Sequence, residues 1–117
     1  MKKLLILEEA AQTAIACFAI YLLDTGIAWY WWLLLFFSPD ISMLGYFINP
    51  KVGAYSYNVF HHKLTAVVII IVGLVLHNKP LEAIGLLLFG HSSFDRTMGY
   101  GLKYTDSFKH THLGMLK

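Results

Sequence analysis

Leu64-Thr65-Ala66-Val67-Val68-Ile69-Ile70-Ile71-Val72-Gly73-Leu74-Val75-Leu76 is an apolar run rich in β-branched residues. Periodicity alone describes Val67 to Val72 as a strand just as well as a helix. The solvent decides between them. In lipid an open strand leaves backbone N–H and C=O groups without partners, whereas a helix satisfies them internally. The run therefore reads as the apolar half of a membrane helix over residues 52–76. The first half of that helix is different, carrying Tyr55, Tyr57, Asn58, His61, His62 and Lys63.

The flanking sequence obeys the same logic. Of 117 residues, 57% are hydrophobic and 14% charged, where a soluble domain is closer to one quarter charged. Apolar residues gather in blocks of about 20, the length that crosses some 30 Å of hydrocarbon at 1.5 Å per residue. A first helix is expected over Leu4 to Leu23, closed by Asp24-Thr25-Gly26. Glu8, Glu9 and Gln12 interrupt the apolar region a signal peptide needs, so this helix reads as retained. A second covers Ala28 to Ile48 and opens with Trp29-Tyr30-Trp31-Trp32, rings suited to the headgroup level. Pro39 removes the amide bond to the carbonyl of Leu35, so this helix must kink or compensate locally. Asn49-Pro50-Lys51 turns the chain into the third helix, and His77-Asn78-Lys79-Pro80 turns it into a fourth. That helix starts near Leu81 and ends between Met98 and Gly101. The expected fold is all-α: one membrane domain of four transmembrane helices over residues 1–117, with residues 102–117 a polar cytoplasmic tail. A re-entrant third helix stays open, because its polar half would line a cavity.

Charge orients the bundle. Four crossings put both termini on one side, which then holds Lys2, Lys3, Lys51, Lys103, Lys109 and Lys117, against Lys79 and Asp24 opposite. Positive residues collect on the cytoplasmic side of short connections, so both termini are expected inside. A formal charge of +2 with no long basic run argues against nucleic acid as partner. Membrane lipids are the expected surroundings in the cell membrane. Cys17 is the only cysteine, so no intrachain disulfide forms. It reads as filling core or lipid-facing space.

Polar residues then converge by depth. Asp40 falls about 18 Å down the second helix, Asn58 and His62 about 9 and 15 Å up the third, and His91 and Asp95 about 15 and 21 Å down the fourth. Glu8, Glu9 and Gln12 sit in the cytoplasmic half of the first. His91 and Asp95 share a face at four-residue spacing, as do Asn58 and His62. His61 and His62 differ by about 100° and cannot both face one centre. Three readings compete for this cluster. Polar side chains can bond across helices and fix packing. His62, His91 and Asp95, with Asp40 or Glu8, offer imidazole and carboxylate ligands to a divalent metal, which would make the chain a metal-dependent enzyme acting on a lipid-like substrate. In that scheme Asp40 orients water or moves a proton and Arg96 holds an anionic group. A proton-coupled small-solute transporter is the third, and four helices would need a homo-oligomer for it. Neither H-E-x-x-H nor a phosphate-binding P-loop motif is present. The tail is expected to lie on the surface with its lysines against acidic headgroups, or else to bend back so that His110 and His112 add ligands or gate the cytoplasmic mouth.

Ser38-Pro39-Asp40-Ile41-Ser42-Met43-Leu44-Gly45-Tyr46, Val52-Gly53-Ala54-Tyr55 through Tyr57-Asn58-Val59-Phe60-His61, Gly90-His91-Ser92-Ser93-Phe94-Asp95-Arg96-Thr97-Met98-Gly99-Tyr100-Gly101-Leu102-Lys103-Tyr104, and Thr111-His112-Leu113-Gly114 together resemble a family of small bacterial membrane proteins designated domain of unknown function 4260. The resemblance spans almost the whole chain. It implies a multi-pass fold in the bacterial cytoplasmic membrane. It points to Asp40, Asn58, His61, His91, Asp95, Arg96 and His112, and it favours His61 over His62 as the site residue. It brings no assigned activity or cofactor.

Overall fold

A computed structural model describes residues 1–116; Lys117, counted above among the tail lysines, lies outside them. The chain is all-α apart from a short hairpin. Helix α1 spans Lys2–Leu23, a length of about 33 Å. It closes on Asp24, whose left-handed backbone (φ 50°) breaks the helix. Helix α2 is short, Trp29–Phe36. The uninterrupted helix expected over residues 28–48 does not form. From Ser38 to Phe47 the chain instead winds as a 3₁₀ helix, with Pro39 in its first turn. Proline there leaves no orphaned amide, so the chain changes winding rather than kinking a continuous helix. Ten residues is long for this tight coil, which rarely exceeds three or four.

The helix expected over residues 52–76 is likewise two. Helix α3 covers Pro50–His61 and α4 covers Lys63–Val75, bent by 45° at His62. His62 is extended, and its imidazole accepts the Leu64 amide at 3.1 Å, so it caps α4 rather than continuing α3. Asn49 and Asn78 cap α3 and α5 in the same way, each side-chain oxygen accepting an amide three residues on. Helix α5 spans Lys79–Thr97. Helices α4 and α5 end alike: His77 (φ 52°) and Gly99 (φ 91°) are left-handed, and the next amide reaches back to the Gly73 or Asp95 carbonyl at 2.9 and 2.7 Å. The tail is more ordered than a polar end requires. Strands β1 (His110–Thr111) and β2 (Gly114–Met115) pair antiparallel, and Lys103 bridges to Thr111.

Helix α5 is the centre of the packing, with α1 and α4 against it and α3 against the 3₁₀ segment. Small residues set the spacing. Gly90 lies against Ala16, and Gly85 against Ile70 and the Ala66 carbonyl. A side chain at Gly53 would fall on the Tyr46 ring. Buried apolar residues are mostly alanine, while Leu, Ile, Val, Phe and Trp side chains of α1, α2 and α4 face outward. Among the described residues, only α1 is by itself long and apolar enough to cross a membrane; α3 and α4 together pass the same test as one bent span.

Gly85→Val places new atoms against the α4 backbone and is expected to destabilise the protein by about 1–3 kcal/mol. Val68→Ala, on an outward face, should stay within about 0.5 kcal/mol. Thermal unfolding of the detergent-solubilised protein measures both.

Candidate metal centre

Three elements aim side chains at one point. The 3₁₀ segment supplies Asp40, the last residue of α3 supplies His61, and α5 supplies His91 and, one turn on, Asp95. His91 Nε2 lies 3.0 Å from His61 Nε2, 3.1 Å from Asp40 Oδ1 and 3.4 Å from Asp95 Oδ2. His61 Nε2 is 3.3 Å from each of the same two carboxylate oxygens. Four bonds of about 2.0–2.1 Å to a central tetrahedral ion would put their ligand atoms about 3.3–3.4 Å apart. Three of the five separations fall at that figure and two are shorter by 0.2–0.4 Å.

The hydrogen bonds outside the cluster decide what faces its middle. His61 Nδ1 bonds the Tyr57 carbonyl at 2.9 Å, and His91 Nδ1 bonds the Phe36 carbonyl at 2.7 Å. A carbonyl only accepts, so each Nδ1 carries its proton and each neutral ring turns a bare Nε2 inward. Backbone carbonyls orient metal-ligating histidines in this manner. While both rings are neutral, two imidazole lone pairs and two carboxylates face one another across the cluster. A divalent cation would balance the two carboxylate charges, and the nitrogen–oxygen donor set suits zinc, or iron and manganese with added oxygen ligands.

The surround is aromatic. The Tyr57 ring stacks on His61 at 3.8 Å between centroids and 6° between planes, and its hydroxyl donates to Asp95 Oδ2 at 3.3 Å. Phe36 and Phe37 pack edge-on against His91, with Phe94 beside both. Access is uneven. Side-chain exposure is 3% for His61, 0% for His91 and 13% for Asp95, but 41% for Asp40.

The other expected residues take different places. Asn58 faces the tail: its amide donates to the Lys103 carbonyl and accepts the Lys103 amide, both at 2.7 Å. His112 accepts the Leu102 amide at 2.8 Å and so braces the tail internally; burial and the Arg96 charge both lower its pKa. His62 caps α4, and Glu8 is exposed. Arg96 makes no ion pair among the described residues. Glu9 and Gln12, placed by depth with the cluster, instead meet Lys63, whose ammonium lies 2.6 Å from Glu9 Oε2. His110 pairs with Asp106 at 2.9 Å on the surface, holding that carboxyl below its usual range.

Two residues with no assigned role stand next to the centre. Tyr57 was findable, since it precedes His61 by the four residues that stack side chains on a helix. Lys103 had no such signal, because its position depends on how the tail folds back. It is only 5% exposed, and burial pushes its ammonium pKa down against the pull of Asp95 and Asp40.

This helical, histidine- and aspartate-centred chain belongs to a known family. Residues 2–116 match the family described as Domain of unknown function (DUF4260). No curated protein and no solved structure matches the chain.

Asn58→Ala removes both bonds to Lys103, worth about 1–3 kcal/mol together, and should free the tail. Tryptic cleavage after Lys103 and Lys109 is expected to quicken about 10-fold. Asn58→Asp keeps an acceptor for the Lys103 amide but no donor for its carbonyl, and should fall between.

Proposed function

We propose that this chain is a multi-pass membrane protein, one domain of four spans with both termini cytoplasmic, that binds a divalent metal ion and uses it to hydrolyse a lipid-like substrate. The observation carrying the metal is the convergence of Asp40, His61, His91 and Asp95, with both Nδ1 protons committed to carbonyls. His61, His91 and Asp95 are the enclosed ligands. Asp40 is the open one, which fits a site with three firm protein ligands and a fourth position for water or substrate. When bound, such an ion supplies Lewis acidity and an activated water. Asp40, the most exposed of the four, would orient that water or accept its proton.

The membrane reading is supported by the inverted packing: alanines inside, large apolar side chains outside. Helix α5 is too polar to pass as a span by composition, yet its polar face is buried against the other helices. Its 19 residues reach about 28 Å. Helix α2 and the 3₁₀ segment, about 12 and 20 Å by their respective rises, are long enough to cross only together. An apolar cleft of about 810 Å³ between α1 and α2 shares Phe36, Phe37 and Phe94 with the wall around His91. A lipid chain fits that position.

Protein purified without chelators should carry about one equivalent of transition metal, read by elemental mass spectrometry. His61→Ala and His91→Ala should each lower metal affinity by about 10-fold or more. Asp40→Asn should retain most of the metal but lose release of products from phospholipid vesicles. A metal-free wild-type protein whose unfolding ignores chelators would sink the metal, leaving protons to bridge the cluster; ligand-dependent proton flux in vesicles would then test transport. Reporter fusions at both ends should report the cytoplasm, and opposite sides would overturn the four-span topology.

A further inference from the structure

Lys103 is an unusual lysine. It is almost wholly buried, and its ammonium makes no hydrogen bond or ion pair among the described residues. Its neighbours are ring faces: Nζ lies 4.0 Å from the Phe108 centroid and 4.9 Å from that of Tyr57. Nor is the backbone loose. Asn58 holds both its amide and its carbonyl, and a bridge to Thr111 holds the other side. The chain thus fixes a buried cation beside the metal centre, through the same Tyr57 that stacks on His61 and bonds Asp95.

A second group lacks a partner on the same side. Tyr46 Oη is buried with nothing to bond, and its ring packs edge-on at 5.2 Å against Phe108, the ring that also carries the Lys103 ammonium. Buried polar groups normally find partners, and one left without is costly unless a ligand completes it. Tyr46 Oη is such a group, and the Lys103 ammonium, which has no ion pair among the described residues, lies over the face of the same Phe108 ring. Both are donors.

We propose that Lys103 and Tyr46 form a subsite for a phosphoryl group on the ligand that the metal centre acts on. This deepens the metal reading and rests on it: a divalent ion offsets Asp40 and Asp95, leaving Lys103 as unbalanced positive charge facing the site. A phosphate monoester or diester supplies the acceptor oxygens that an ammonium and a phenol demand, with others left for the ion. Lys103 takes the anion-binding role that the depth of Arg96 in the sequence suggested for that residue. A lipid headgroup and a water-soluble phosphate share this chemistry.

The test is equilibrium dialysis of radiolabelled inorganic phosphate against the full chain in detergent, with metal content measured on the same samples. Wild-type protein loaded with metal should bind one phosphate. Lys103→Met and Tyr46→Phe should each keep the metal and the wild-type unfolding temperature, and bind phosphate at least about 10-fold more weakly, a loss of ~1.4 kcal/mol. Tyr46→Phe removes an unpartnered hydroxyl, so a folding defect there is not expected. Metal-loaded wild-type protein that binds no phosphate, or folded variants that bind it as well as wild type, would overturn the subsite while leaving the metal centre intact. Wild-type protein without metal would instead remove the metal reading; phosphate binding lost in both variants would still uphold the subsite, and binding absent or unchanged would still overturn it. Competition separates the two sources. Displacement by dihexanoyl phosphatidic acid well below the concentration of glycerol phosphate required points to a lipid headgroup, and equal potency to a soluble phosphate.

Discussion

Two carboxylates and two imidazole nitrogens held within 4.8 Å of one another are the constraint around which the rest is arranged. Asp40 and Asp95 place ligand oxygens within 4.8 Å, a repulsion of about 3 kcal/mol or more at an effective dielectric near 20. Nothing in the cluster itself offsets this when both rings are neutral. The scaffold must therefore hold the groups against their own field, which a bound cation would relieve. The buried α5 fixes two of them one helical turn apart, and the Tyr57 and Phe36 carbonyls lock the two rings. The ordering entropy is spent in the fold, so an ion arriving there would meet its candidate ligands already in place.

The same constraint explains the uneven distribution of polarity along the chain. Helix α5 carries His91, Ser92, Ser93 and Asp95 on surfaces that other helices cover. Small residues at Ala16, Gly85 and Gly90 let those helices approach closely. What remains outward is Leu, Ile, Val and aromatic surface. The polarity of one helix is thus enclosed by the apolarity of its neighbours, and neither would persist alone.

Much of this was legible in the sequence, and the limits were physical. Depth arithmetic from a 1.5 Å rise placed Asp40, His91 and Asp95 near one level, and the four-residue spacing of His91 and Asp95 gave them a shared face. His61 and His62 could not be separated by that arithmetic, because the choice depends on where α3 ends; the resemblance to the family favoured His61, which is the residue in the cluster. The breaks at Ser38 and His62 were hidden for a related reason. Hydrophobic pattern does not distinguish α from 3₁₀ winding, and a histidine that caps the next helix looks like one inside a continuous helix. Glu9 and Gln12 sat at a suitable depth but pair with Lys63 instead, since depth carries no azimuth between helices. Lys103 and Asn58 meet across 45 residues through a tail whose folding no local pattern announces.

Asp95 joins two parts of the molecule in one residue. Its carboxylate faces His61 and His91, while its backbone carbonyl accepts the Tyr100 amide that closes α5 and sends the tail back over the bundle. The terminal segment and the cluster therefore meet in this residue. A displacement of the closing turn would be carried to the carboxylate that faces both imidazoles.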